Sequence, residues 1–115
     1  MRMRVLVLGG GLPAYFDSDE DEKQNTFLPR FRAVLAEWEA LGARVVASFC
    51  DDVLQVGPVV PGAWAWYLLY DVDDFEVAAQ LLEAVRSPDE DGIRLDKYVR
   101  FEVRLGRPFF AREEG

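Results

Sequence analysis

The 115-residue chain is 50% hydrophobic and 30% charged, and its formal net charge is −8. This composition is that of a folded chain rather than a disordered one, and the negative charge disfavours nucleic acid and anionic membrane surfaces as partners. The length fits one domain over residues 1–115. The N-terminal apolar run is too short for a signal-peptide core or a membrane span, so we expect a cytoplasmic protein.

Histidine is absent from the sequence, which narrows the possible chemistry. Ser-His-Asp and Cys-His nucleophile systems need imidazole, and the zinc and iron sites that use histidine ligands are excluded as well. Cys50 is the single cysteine, so an internal disulfide is excluded, and we interpret it as a small buried side chain. We expect no metal and no cofactor.

The chain begins with a predicted strand over Arg4–Leu8, which is apolar without alternation, as in a strand covered on both faces. The pattern Gly9-x-Gly11-x-x-Ala14 mimics a dinucleotide-binding fingerprint. Pro13 and an acidic run stand where the helix should begin, however, and this charge would repel a pyrophosphate. We interpret the glycines as a turn after the strand, with a ligand approaching the bare backbone as the alternative.

A loop is predicted over residues 12–25, and its acidic run, residues 17–22, is expected to be solvated. The aspartate spacing resembles the start of a calcium loop, but the Gly and Glu needed at its sixth and twelfth positions are missing. Neutralising or deleting residues 17–24 should leave the fold intact and raise its stability slightly, because like charges crowd there. A helix over residues 26–41 follows, capped by Asn25 or Thr26, because apolar residues recur there at three- and four-residue steps.

Two further strands are predicted before the second helix. One runs over residues 43–50 after Gly42, which ends the preceding helix, and residues 57–62 form a turn region with glycine and proline at both ends. The next strand runs over residues 64–72 and is again apolar on both faces. Its faces are Trp64, Trp66, Leu68 and Tyr70 on one side, and Ala65, Tyr67 and Leu69 on the other.

The second helix and the last strand complete the pattern. Asp73, with Glu76 three residues later, predicts the cap of a helix that ends at Arg86. Its expected buried stripe is Phe75, Ala78, Ala79, Leu82 and Val85. The strand over residues 97–105 alternates, so Val99, Phe101, Val103 and Leu105 should face the helices, and Tyr98, Arg100, Glu102 and Arg104 the opposite side.

The element order β-α-β-β-α-β predicts an α+β, ferredoxin-like fold with a four-stranded antiparallel sheet and two helices on one face. Two helices cover only one face of such a sheet, yet the first and third strands are apolar on both. We therefore expect a second copy of the chain to cover the other face in a homodimer.

Five residues are candidates for a ligand or catalytic site. Tyr67 and Asp71 could be acid or base, because polar groups on an apolar central strand need partners. Arg100 and Arg104 could hold an anion, with at least one pointing into an enclosed space, and Trp66 could line an aromatic pocket for substrate. The alternatives are core and interface packing for the aromatic residues, and ion pairs or plain exposure for the arginines.

The segment Trp66-Tyr67-Leu68-Leu69-Tyr70-Asp71-Val72-Asp73-Asp74 leading into a helix, and the closing Arg100-Phe101-Glu102-Val103-Arg104, resemble the dimeric α+β barrel superfamily. The nearest resemblance is to the YCII-related small proteins, and it covers most of the chain. It implies homodimers with face-to-face sheets, and roles such as cofactor-independent monooxygenase, muconolactone isomerase or cyclase. The His-Asp pair associated with YCII-type proteins has no counterpart here, so no catalytic residue is transferred.

Two hypotheses of function follow. The first is a small-molecule metabolic protein that acts on an aromatic or unsaturated acid by proton transfer, isomerisation or oxygenation, without metal or cofactor. The alternative is a non-catalytic ligand-binding or scaffolding homodimer. An enclosed, polar-lined pocket beside Tyr67 and Asp71 would favour the first, and a filled core there the second.

Overall fold

The computed structural model describes residues 3–54, 56–57 and 64–107, so most of the turn predicted at residues 57–62 lies outside the described residues. The strands are β1 (Met3–Gly11), β2 (Arg44–Cys50), β3 (Trp66–Val72) and β4 (Val99–Gly106). The helices are α1 (Pro13–Phe16), α2 (Glu20–Glu22), α3 (Leu28–Ala40) and α4 (Phe75–Arg86). A π-helical turn, Lys23–Phe27, joins α2 to α3, and a 3-10 turn, Leu95–Lys97, precedes β4.

The strands form one antiparallel sheet in the order β2-β3-β1-β4. The two strands predicted to be apolar on both faces, β1 and β3, lie at its centre, which confirms the ferredoxin-like α+β fold. In β1, Val5 and Val7 are fully buried on the side of the helices, and the alternate Leu6 and Leu8 are half-buried on the other side. A central strand meets apolar neighbours on both faces, which explains its lack of alternation.

The hydrophobic core lies between the sheet and the helices α3 and α4. Trp38 of α3 is fully buried, and its indole Nε1 donates a hydrogen bond to the carbonyl oxygen of Leu81 in α4, 3.0 Å away. The expected alternation of β4 is confirmed, because Val99, Phe101, Val103 and Leu105 all belong to this core or pack against it. Gly42 ends α3 with a φ of +106°, as expected of a glycine stop.

The acidic segment differs from the predicted loop. Residues 13–16 and 20–27 are helical, and the cap is Asp19, whose carboxylate accepts a hydrogen bond from the Glu22 backbone N–H at 2.8 Å. Neither Asn25 nor Thr26 caps the helix. Carboxylates in a first helical turn are stabilised by the exposed N–H groups and the helix dipole. The acidic run is therefore a helix start, and we no longer expect its removal to be harmless.

The second helix begins one residue later than predicted. Its cap is Asp74, whose carboxylate accepts from the Val77 N–H, while Asp73 pairs with Arg44. The buried residues of α4 are Ala78, Leu81, Ala84 and Val85, so Phe75 and Ala79 of the expected stripe are exposed instead. Cys50 is exposed at the end of the edge strand β2, so its interpretation as a small buried side chain is wrong.

Candidate functional site

The sheet face turned away from the helices carries most of the predicted site residues, and we call it the open face. Its residues follow from the strand register, since directly opposed residues share a face. They form three rows from β2 to β4: Arg44, Asp71, Arg4 and Gly106; Ala47, Leu69, Leu6 and Arg104; Phe49, Tyr67, Leu8 and Glu102. The open face therefore has an apolar centre with charged residues around it.

Tyr67 lies on β3, one of the two central strands, and belongs to the open face. Its ring is 5.2 Å from that of Phe49 on β2, and Leu8 of β1 lies directly opposite on the other side. Tyr67 is half-buried and Phe49 is 52% exposed. Together they present an aromatic surface away from the helices.

Asp71 is on the same face as Tyr67, but the structure does not bring the two side chains together. They are separated by Leu69 on β3, which places their Cα atoms about 13 Å apart at the usual rise of a strand. The Asp71 carboxylate lies 2.8 Å from the Nε of Arg4, and the Asp71 side chain is only 13% exposed. A carboxylate held by a guanidinium is a poor proton acceptor, so this geometry disfavours Asp71 as a general base.

Arg100 and Arg104 both face away from the helices, as the alternation of β4 predicted. The Arg100 guanidinium carbon lies 4.5 Å from the ring centre of Trp64, which is a cation–π distance. Arg104 forms an ion pair with Glu102 at 2.6 Å, and its side chain is 65% exposed. Both arginines are exposed in the single chain, so the enclosed space expected around at least one of them would require a second copy.

Trp66 packs against the core on the side of the helices, so the open face does not include this predicted substrate-binding residue. Its ring contacts those of Phe31 and Phe101, with centroids 5.3 and 5.6 Å away. It also lies against Gly9, where an added Cβ would come within 2.1 Å of the indole. Successive residues of a strand point to opposite faces, so Trp66 and Tyr67 cannot line the same pocket in one chain.

A polar cluster under the acidic segment was missed by sequence reasoning. Tyr98, expected on the open face, is only 1% exposed, and its hydroxyl donates to the Glu22 Oε2 at 2.7 Å. The Oγ of Ser18 lies 3.0 Å from the same oxygen and 2.6 Å from the carbonyl oxygen of Ala14. The Leu12 N–H also donates to the Tyr98 carbonyl. These bonds tie the acidic segment to the start of β4.

The pKa values of Tyr98 and Glu22 are shifted in opposite directions. Desolvation, together with the hydrogen bond to Glu22, raises the pKa of Tyr98 to about 12. The bond from Tyr98, with a smaller effect of Ser18, lowers the pKa of Glu22 from its ordinary value of 4.5. The i, i+4 spacing of Ser18 and Glu22 is a local signal that they could meet on a helix, but nothing local points to Tyr98.

We expect Tyr98→Phe to make the protein less stable and less sensitive to acid. Because the pKa of Glu22 is lowered on folding, its stabilising effect is complete above pH 4.5 and is lost as the pH falls through the lowered pKa. Tyr98 acts in the opposite sense, with an effect complete below pH 10.0 and lost as the pH rises to about 12. Urea unfolding at several pH values between about 3 and 7 measures the difference.

Tyr67→Phe is the matched control for this prediction, because it removes the same hydroxyl from the open face. It should leave the acid dependence of stability unchanged. Equal acid dependence in wild type and Tyr98→Phe would contradict the assigned role of the Tyr98–Glu22 bond.

A depression of about 390 Å³ lies beside the 3-10 turn, lined by Gly92, Ile93, Arg94, Asp96 and Lys97. Arg94 and Asp96 form an ion pair across it at 2.8 Å. The depression is separate from the open face and contains none of the five predicted site residues. Among the described residues, no three Cys, Asp or Glu side chains are grouped as metal ligands, and no helix is long and apolar enough to cross a membrane.

Comparison with known proteins places the fold. No protein-family model matches the chain, and neither does any curated protein. Among solved structures, the chain is similar to a crystal structure described as "Putative Chlorite dismutase", with a TM-score of 0.58 and 19% sequence identity over 93% of this chain and 43% of that one. This likeness supports the four-stranded α+β fold described above. The chain spans less than half of the length of that structure, and the identity is too low to indicate more than the fold.

Proposed function

We propose that the chain forms a homodimer through its open face and binds a small aromatic or unsaturated acid between the two sheets. The observation that carries this proposal is the half-buried apolar centre of the open face, with Leu6, Leu8, Tyr67 and Leu69 on the two central strands. A contiguous apolar surface of this kind marks an interaction site. Two copies related by a two-fold axis would each bury the apolar open face of the other, and two-fold dimers are the commonest form of protein assembly.

The chemistry at one end of the open face favours an acid with an aromatic or conjugated part. Tyr67 and Phe49 offer ring surfaces for stacking. Arg100, opposite Gly10 on β4, lies one row beyond Glu102 and is stacked on Trp64. A guanidinium in this arrangement can bind a carboxylate through parallel N–H donors in its plane. One small ligand could therefore place its carboxylate on Arg100 and its ring on Tyr67 and Phe49, which lie in neighbouring rows of the open face.

A cofactor-independent enzyme of isomerase, cyclase or monooxygenase type is the second candidate function. It is favoured by Tyr67, a side chain with a hydroxyl in the row of the open face next to that of Arg100, so a bound acid could exchange a proton with it. Tyr67 would then be the catalytic residue rather than Asp71, because Arg4 holds the Asp71 carboxylate. Conversion of a bound acid that disappears in Tyr67→Phe, while binding remains, would favour this function.

Three broader assignments belong to the same proposal. We place the chain nearest to the YCII-related proteins within the superfamily, on the resemblance of its third and fourth strands. We also propose that residues 1–115 form one domain and that the protein acts in the cytoplasm. The net charge of −8 supports a small-molecule partner over nucleic acid or a membrane surface.

Replacing Arg100 by methionine tests the proposed ligand site. Benzoate and cinnamate, an aromatic and an unsaturated acid, should raise the melting temperature of the wild type and not that of Arg100→Met. Loss of a charge-assisted hydrogen-bond pair predicts about 10- to 100-fold weaker binding by calorimetry. Arg32→Met is the matched control, because Arg32 is exposed on α3, on the other side of the sheet.

Two results would contradict the proposed function. The wild type could be a monomer in light scattering at micromolar concentration, which would exclude closure of the open face by a second copy. Arg100→Met could retain the full thermal shift with both acids, which would remove Arg100 from the ligand site.

A further inference from the structure

The segment that follows β2 is apolar and extends from the sheet. Within this segment, which we call the arm (residues 51–54, 56 and 57), Val53, Leu54 and Val56 are 92%, 79% and 82% exposed. The arm begins with two exposed carboxylates, Asp51 and Asp52. Exposed apolar side chains in such a cluster indicate a contact surface, and its place beside Phe49 makes it continuous with the open face.

Backbone hydrogen bonds define the position, measured along the strand direction, at which the arm leaves the sheet. The Asp51 N–H donates to the Ala65 carbonyl, and the Ala65 N–H donates to the Gly9 carbonyl, both at 2.8 Å. On the other side of β1, Gly10 lies opposite Arg100. Asp51 and Arg100 therefore stand at the same level along the strands but at opposite edges of the sheet, about 14 Å apart across three strand spacings.

The positions of Asp51 and Arg100 allow two copies of the chain to pair opposite charges about a two-fold axis. If two open faces meet about a two-fold axis parallel to the strands, β2 of each copy lies against β4 of the other, and the level along the strands is kept. Asp51 and Asp52 of each copy then meet Arg100 of the other, twice in the dimer. A two-fold axis perpendicular to the strands would instead lay β2 on β2 and β4 on β4, so Asp51 and Arg100, which stand at opposite edges of the sheet, would not meet.

We infer that the arm of each copy covers the Arg100–Trp64 pair of the other copy in such a dimer. Its carboxylates oppose the guanidinium, and its apolar side chains complete the ligand site from above. The inference rests on the proposed homodimer and adds to it the orientation of the two sheets and the segment that the second copy contributes. An acidic ligand would then compete with Asp51 and Asp52 for the same guanidinium.

Charge reversal on the two sides of this contact gives a direct test. Asp51→Arg with Asp52→Arg makes the arm basic, and Arg100→Glu makes its target acidic, so each variant opposes like charges in its own homodimer. We expect each to dissociate about tenfold more readily than the wild type. In an equimolar mixture both contacts again join opposite charges, so the mixture should form a heterodimer of wild-type affinity in analytical ultracentrifugation.

The control has the same change in charge on the helical side of the sheet. Glu37→Arg with Glu83→Arg, both exposed on α3 and α4, should leave the dimer unchanged. Variants as dimeric as the wild type, or weakened variants whose mixture is not restored, would overturn the inference while leaving the homodimer in place. A monomeric wild type would instead contradict the proposed function itself.

Discussion

Truncation of Trp38 to alanine is expected to lower the free energy of unfolding by about 3–5 kcal/mol. The indole is fully buried and lies between α3 and the sheet, with ring centroids 5.5 Å from Tyr70 and 6.3 Å from Phe101. It also donates the hydrogen bond to Leu81 that joins the two long helices. Because domains of this size are stable by only about 5–15 kcal/mol, this variant should be close to unfolding at ambient temperature.

Urea unfolding of Trp38→Ala beside Phe75→Ala measures this effect. Phe75 is also an aromatic residue on a helix, but it is 68% exposed, and its removal should change stability by less than about 0.5 kcal/mol. A loss below about 1 kcal/mol for Trp38→Ala would mean that the helices do not pack on the sheet as described.

Adding a single methyl group at Gly9 should cost about 1–3 kcal/mol. Alanine in a strand is normally more favourable than glycine, but at this position the new Cβ would lie 2.1 Å from the Trp66 ring. The indole is wedged between Phe31 and Phe101, so it has little room to move away. The penalty should therefore exceed the usual gain from the substitution.

Gly106→Ala is the matched control, because a Cβ at Gly106 meets nothing within 4 Å, and it should be neutral or slightly stabilising. Combining Gly9→Ala with Trp66→Leu should cost less than the sum of the two single changes, since the smaller side chain relieves the overlap. If Gly9→Ala is as harmless as Gly106→Ala, then Trp66 does not pack over β1. The placement of Tyr67 on the open face would then lose its support.

The positions of the strands could be predicted because hydrophobic periodicity is a local property. The unbroken apolar runs of β1 and β3 marked them as central strands, and the alternation of β4 assigned Phe101 to the core and Arg100 to the open face. Asp73 and Asp74 are equally good caps by composition, and Asp74 is the one that the structure uses. The buried face of α4 is also centred differently from the expected stripe, so Phe75 and Ala79 are exposed.

Part of the candidate site could likewise be predicted from the sequence, and part could not. Residues two apart on a strand point the same way, so the alternation of β4 placed Arg100 and Arg104 away from the helices. The same rule put Tyr67 and Asp71 on the face of β3 that does not carry Trp66, but the sequence did not decide which of those two faces meets the helices. Trp66 was the exception, since its odd spacing from Tyr67 already placed it on the other side.

Only the tertiary structure shows which partners the carboxylates of Asp71 and Glu22 have. Arg4 and Asp71 are 67 residues apart in the chain, and Glu22 and Tyr98 are 76 apart. A carboxylate's partner across such distances depends on which strands and helices become neighbours, and no local pattern records it. The sequence thus determined the four strands and, through the alternation of β4, which of its residues face the helices. Packing decided the order of the strands in the sheet, that Asp71 belongs to an ion pair, and that Tyr98 holds the acidic segment against β4.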